Sequence, residues 1–221
     1  MQIKKSLLAA TVATLCTVMT SESVLASDWL MRARVINISP NDNSQVVDLG
    51  DPFGDLGVAV DNDTTLELDF TYMLSKHLGL ELILATTEHV ATGTNDLSGA
   101  SVGSVNVLPP TLTLQYHFSP GAKIRPYVGA GLNYTVFYGA KVGSAASEAL
   151  EINKLSYDNS FGLAAQAGVD ISINKDWFFN LDVKYIQIDT KATIHGGDFD
   201  GATIDVDINP WVFGIGIGTY L

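Results

Sequence analysis

Cysteine is almost absent from this sequence: Cys16 is the only one, so neither a disulfide framework nor a cysteine-based metal centre holds the fold. Leu15 precedes it, where a lipid-attachment signal would place a small residue. Basic residues are scarce as well, twelve Lys and Arg against twenty-four Asp and Glu for a net charge of −12. That balance, with no basic stripe, argues against nucleic acid as a partner. Histidines are few. His77 sits in a short turn and His117 on a polar phase, neither beside an evident Ser nucleophile and acid, so the logic of a catalytic triad finds no footing. The expectation is a non-enzymatic chain without a cofactor. Beyond the leader, no apolar run approaches the ~20 residues that a membrane-crossing helix needs.

What is present begins with an export signal. Lys4 and Lys5 precede an apolar run from Leu7 to Met19, and Val24-Leu25-Ala26 offers small residues for cleavage. This order reads as a secretory signal peptide over residues 1–26, leaving 27–221 as the mature domain. Hydrophobic residues still make up 47% of the chain, and they recur with a period of two, the signal of strands that show one face to an apolar phase.

Eight segments carry that alternation. Trp29, Met31, Ala33 and Val35 oppose Arg32 and Arg34, with the pattern fading at Ile36 and Asn37. Leu66, Leu68, Phe70 and Tyr72 oppose Glu67, Asp69 and Thr71; Leu80, Leu82 and Leu84 oppose Glu81 and Ile83. Similar runs surround Leu112–Phe118, Val128–Tyr134, Phe161–Ile171, Phe179–Tyr185 and Trp211–Ile217.

A soluble sandwich also alternates, and the connections separate the two. Ser75–His77, Ser119–Lys123 and Asn174–Asp176 are short turns, whereas 39–64, 89–104, 139–158 and 191–203 read as long loops. Short turns on one side and long loops on the other mark a transmembrane barrel with periplasmic turns. Charge sorts the same way. Lys76, Lys123, Arg125 and Lys175 flank the turns, while Asp42, Asp51, Asp61, Asp63, Asp96, Asp198 and Asp200 crowd the loops. Aromatics cluster at both ends of the apolar phase, as two membrane interfaces require. The predicted fold is all-β: an eight-stranded antiparallel transmembrane barrel closed by pairing its last strand with its first.

The segments Phe70-Thr71-Tyr72-Met73, Leu108-Pro109-Pro110-Thr111-Leu112, Arg125-Pro126-Tyr127-Val128-Gly129-Ala130-Gly131 and Asn209-Pro210-Trp211-Val212-Phe213 resemble the OmpW family of outer-membrane proteins. The resemblance covers nearly the whole mature chain. It implies an eight-stranded barrel of the Gram-negative outer membrane whose narrow lumen passes small hydrophobic compounds. Two positions depart from the family pattern: the chain ends on Leu221 instead of an aromatic, and Lys184 stands where relatives often carry an apolar aromatic.

An eight-stranded barrel is only wide enough inside for side chains to fill it. Arg32, Arg34, Arg125 and Lys184 share the inward phase with Glu67, Asp69, Glu81, Asp170 and Asp182, and mixed charges at such range are expected to pair into a plug. Toward the loops the inward candidates turn apolar: Ile36, Ile83, Phe137, Ile186, Ile188 and Val212. In strand seven this needs a phase flip or a bulge near Tyr185. An apolar mouth above a charged plug leaves a greasy solute a sideways route into the bilayer. Pro109 and Pro110, which lack backbone N–H groups toward both neighbouring strands, are the candidate exit. A structural or surface-binding barrel is the competing expectation. Its acidic loops would share divalent cations with lipopolysaccharide, although Asp61-Asn62-Asp63 and Gly196–Gly201 complete no ligand set.

Overall fold

A computed structural model describes residues 28–41, 47–48, 55–95, 99 and 101–221. The leader, Asp42, Asp51 and Asp96 lie outside the described residues. Fifteen strands are described: β1 (Trp29–Ser39), β2 (Val47–Asp48), β3 (Asp55–Val60), β4 (Asp63–Met73), β5 (Leu78–Ala85), β6 (Thr87–Asn95), β7 (Ser101–Leu108), β8 (Thr111–His117), β9 (Ile124–Val142), β10 (Lys154–Tyr157), β11 (Ser160–Ser172), β12 (Trp177–Ile186), β13 (Asp189–His195), β14 (Thr203–Asp207) and β15 (Trp211–Tyr220). Apart from β2, which pairs beside β3, they form eight antiparallel staves, six of them two segments long: β3–β4, β5–β6, β7–β8, β10–β11, β12–β13 and β14–β15. β1 and β9 complete the ring.

The ring closes where expected. β1 pairs with β4 on one side and with β15 on the other, from Leu30↔Tyr220 to Ser39↔Trp211, and β11 joins β9 to β12. Closure leaves the barrel no open edge, which lipid demands. Two of the three short turns are held by local side-chain acceptors, and the third by a backbone bond from Ala122 N to Ser119 O. Ser75 Oγ accepts from the amides of His77 and Leu78, and Asn174 Oδ1 accepts from those of Asp176 and Trp177 at 2.9 Å.

Much of the expected loop is strand. β9 runs for 19 residues, well beyond the ~9–11 that cross the hydrocarbon, and its excess length rises above the membrane. There β3, β6, β7 and β9 make one wall. β10, β13 and β14 make a second, packed with helix α1 (Ser144–Leu150) around Ala146, Ile152, Leu155 and Ile194. Residues 139–158 and 191–203, expected to be loops, carry these short strands, whose inner faces pack together while their outer faces meet water and so lack the apolar phase that marks the membrane-crossing segments.

The outer face is apolar in the manner of a membrane protein. Leu66 is 71% and Phe161 69% exposed, a display that a water-soluble surface does not sustain in one continuous belt. Trp29, Tyr72, Tyr116 and Phe118 ring the turn side, and Tyr134, Phe161 and Trp211 the loop side. Meanwhile Arg32, Asp69, Glu81 and Asp170 are 0% exposed inside.

Candidate functional site: a charged plug beneath an apolar mouth

Successive residues of a strand face opposite sides, so every second residue of each stave points into the lumen and the plug is assembled from staves far apart in sequence. Arg32 donates from Nε and Nη2 to Asp170 (3.3 and 3.0 Å), and from Nη1 to Glu81 Oε1 (3.2 Å) and Thr71 Oγ1 (2.8 Å). Arg34 donates to Glu67 Oε1 (2.9 Å), to Asp69 Oδ2 and to Asn180 Oδ1 (2.6 Å). Lys184 Nζ lies 2.7 Å from both Glu67 Oε1 and Asp182 Oδ1. Five carboxylates thus surround three cations, and neutral donors make up the difference. Glu81 Oε2 accepts from Gln115 and Gln166 at 2.6 Å each and from Thr113 at 3.2 Å. Buried charges persist only when paired and hydrogen-bonded in this way.

Tyr127 was missed in the sequence because it sits in a glycine-rich polar phase. Its hydroxyl accepts from Arg34 Nη2 and Asn180 Nδ2, each at 3.1 Å, and donates to Asp182 Oδ2 at 2.7 Å. Gly168 makes the space, for a Cβ there would lie 2.3 Å from the Tyr127 ring.

Arg125 does not join the plug. It lies nearer the periplasmic turns, donating to Ser172 Oγ (2.6 Å) with its guanidinium over the rings of Phe178 and Tyr220. Asp170 is its cross-strand partner, yet the Asp170 carboxylate is taken by Arg32 and Asn180 while the Arg125 side chain turns toward Ser172.

Above the plug, Ile36, Ile38, Ala164, Ile186, Ile188, Ile208 and Val212 form one buried apolar cluster, with Phe137 packed against it. Ile186 and Ile188 need no phase flip or bulge: Phe178, Asn180, Asp182, Lys184, Ile186 and Ile188 are buried in unbroken alternation. The polarity of the stave changes and its phase does not. Ile36, Ile83, Ile186 and Ile188 line a small cavity of about 40 Å3 together with Val107, Pro109 and Thr111.

Pro109 and Pro110 interrupt the fourth stave between β7 and β8. On the side of the third stave, pairing stops at Ile83↔Thr111 and resumes at Thr87↔Val107. Leu84, Ala85 and Thr86 therefore face Pro110, Pro109 and Leu108 with no ladder pair among the described residues. The other side is repaired, contrary to the expectation of two weakened seams. Tyr134 N donates to Pro110 O (3.0 Å), and Asn133 Nδ2 reaches the carbonyls of Pro109 and Pro110. An apolar groove of about 520 Å3 runs over the lipid face from Ile215 and Ile217 of the eighth stave across the first and second, and its far edge, Leu84, Ala85, Thr86 and Leu108, meets the open seam. Glu67 and Ala85 border both cavities, so a single layer of backbone divides inside from outside.

The histidines are placed in hydrogen bonds. His117 meets Gln115 Oε1 at 3.0 Å, and His77 meets the His117 carbonyl at 2.8 Å. In the upper wall, His195 Nε2 lies 2.8 Å from Ser156 Oγ, a contact across β10 and β13 that their spacing in sequence does not announce. Among the described residues no group of three or more His, Cys, Asp or Glu is arranged to hold a metal ion.

A closed eight-stave barrel with an apolar belt, two aromatic girdles and a charged interior is an integral outer-membrane protein of a Gram-negative bacterium. The chain belongs to the OmpW family, whose sequence profile matches residues 26–220. It is 37% identical over 195 residues to outer membrane protein W of Vibrio cholerae, covering 86% of this chain and 87% of that one. It is 39% identical over 191 residues to outer membrane protein W of Escherichia coli, covering 85% of each. The crystal structure of the outer membrane protein OprG from Pseudomonas aeruginosa superposes with a TM-score of 0.80 at 34% identity, covering 90% of this chain and 97% of that chain.

Proposed function

We propose that this barrel takes up small apolar molecules from outside the cell and releases them sideways into the outer membrane, after export with residues 1–26 removed. Solute reaches the pocket of Ile36, Ile83, Ile186 and Ile188, meets the charged plug below, and leaves between the third and fourth staves at Pro109. The observation that carries this reading is an unpaired seam at which an inner apolar cavity and the edge of an outer apolar groove meet, sharing Glu67 and Ala85. Desolvation favours such a path: an uncharged greasy solute loses nothing in either cavity, whereas an ion would be stripped of water. A relative 26% identical over 195 residues is named Dibenzothiophene metabolism operon protein PahQ, from Pseudomonas aeruginosa; dibenzothiophene is an apolar fused-ring compound of the kind proposed.

A second reading, a structural or surface-binding barrel without transport that contacts lipopolysaccharide, draws on the small inner cavity. Its 40 Å3 holds a few waters at most, so transport requires the pocket to widen. Replacing Pro109 and Pro110 with Thr restores the missing N–H groups. On the transport reading the double variant slows uptake of an apolar fluorophore severalfold while the barrel stays folded; unchanged uptake removes the lateral exit.

A further inference from the structure

The unpaired seam is bridged on its lipid side by one side chain. Thr86 faces outward from the third stave, at the point where both ladder bonds to the fourth stave and regular pairing to the second are interrupted. Thr65 Oγ1 of the second stave donates to the Thr86 carbonyl at 2.9 Å. The Thr86 hydroxyl meets Tyr138 Oη at 2.8 Å. Tyr138 belongs to β9, the fifth stave, where it pairs with Asn106. Its ring therefore crosses the whole width of the fourth stave to reach the third, directly over the seam.

The backbone is shaped to aim it. Gly139 follows with φ +62°, and the β7–β9 register shifts between Ser104 and Asn106, a bulge of the kind that redirects a side chain. A Cβ at 139 would lie 2.9 Å from Asn106 Nδ2, so the fourth stave also crowds that glycine. A tyrosine kept merely as part of the aromatic girdle would need neither the bulge nor a hydroxyl partner two staves away.

We infer that Tyr138 is a strap holding the seam between the third and fourth staves shut, and that its hydrogen bond to Thr86 breaks each time a solute leaves. This regulates, and rests on, the lateral route proposed above. With only side-chain bonds securing Thr86 at this level, loss of the hydroxyl shifts the seam toward its open form.

The test is uptake of N-phenylnaphthylamine by cells carrying the protein. Tyr138→Phe keeps the ring at the interface and removes the strap; it speeds uptake roughly two- to tenfold, the range one net hydrogen bond sets. Thr86→Val does the same, and the double variant is no faster than either. Retained heat-dependent gel mobility identifies folded barrels in each case. A second pair, Thr86→Cys with Leu108→Cys, is joined by a short reducible thiol cross-linker and then released. If the cross-link stops uptake, release restores it and Tyr138→Phe is faster than the unaltered protein, the strap holds. If the cross-link stops uptake but Tyr138→Phe is no faster, the strap is overturned and the lateral route stands. If the cross-link leaves uptake unchanged, the lateral route falls and the strap with it.

Discussion

Tyr127 illustrates at the scale of one residue how polar groups from distant staves are tied together inside this lumen. One hydroxyl serves Arg34, Asn180 and Asp182, each buried. Tyr127→Phe removes one bond from each of the three. It is expected to cost about 1–3 kcal/mol, seen as a lower urea midpoint for the barrel in detergent micelles. Arg34→Met is the harsher change, because Glu67 and Asp69 lose their guanidinium partner while remaining buried; a loss of about 3–5 kcal/mol is expected in the same titration. That these charges point inward was legible from the period of two. Which charge meets which was not, since Arg32 and Asp170 stand 138 residues apart and are matched only by the stagger of the closed ring. Tyr127 itself becomes legible only beside Gly168, whose missing side chain the ring occupies.

At the scale of elements, turns and staves differ in how openly the sequence declares them. Ser75 and Asn174 mark their turns by chemistry that is local, and the membrane-crossing segments carry a strong alternation imposed by lipid on one face. The extensions of β9, β10, β13 and β14 lack that one-sided pressure and passed for loops. The double proline was legible as a weak point, but its one-sidedness was not. Asn133 seals the seam toward the fifth stave through side-chain bonds that no local pattern specifies. Asn133→Ala is expected to speed amide exchange at Tyr134, whose N–H is bonded to Pro110, while Val128 lower in β9 keeps its protection. Equal exchange at both sites in the variant and the unaltered barrel would show that the backbone alone closes this seam.

For the whole molecule, the proposed path for apolar solutes runs from the apolar mouth, over the paired plug, to the outer groove, and the plug is expected to bar ions. In planar bilayers bathed in KCl the purified barrel is expected to give no conductance steps above the lipid baseline, since the three cations of the plug, Arg32, Arg34 and Lys184, are each paired with carboxylates that block the lumen. The most direct measurement compares uptake of N-phenylnaphthylamine and of a small hydrophilic dye by cells with and without the protein in the outer membrane. Faster uptake of the apolar probe alone is the predicted result; equal rates for both probes with and without the protein would contradict a hydrophobic conduit and leave a structural barrel.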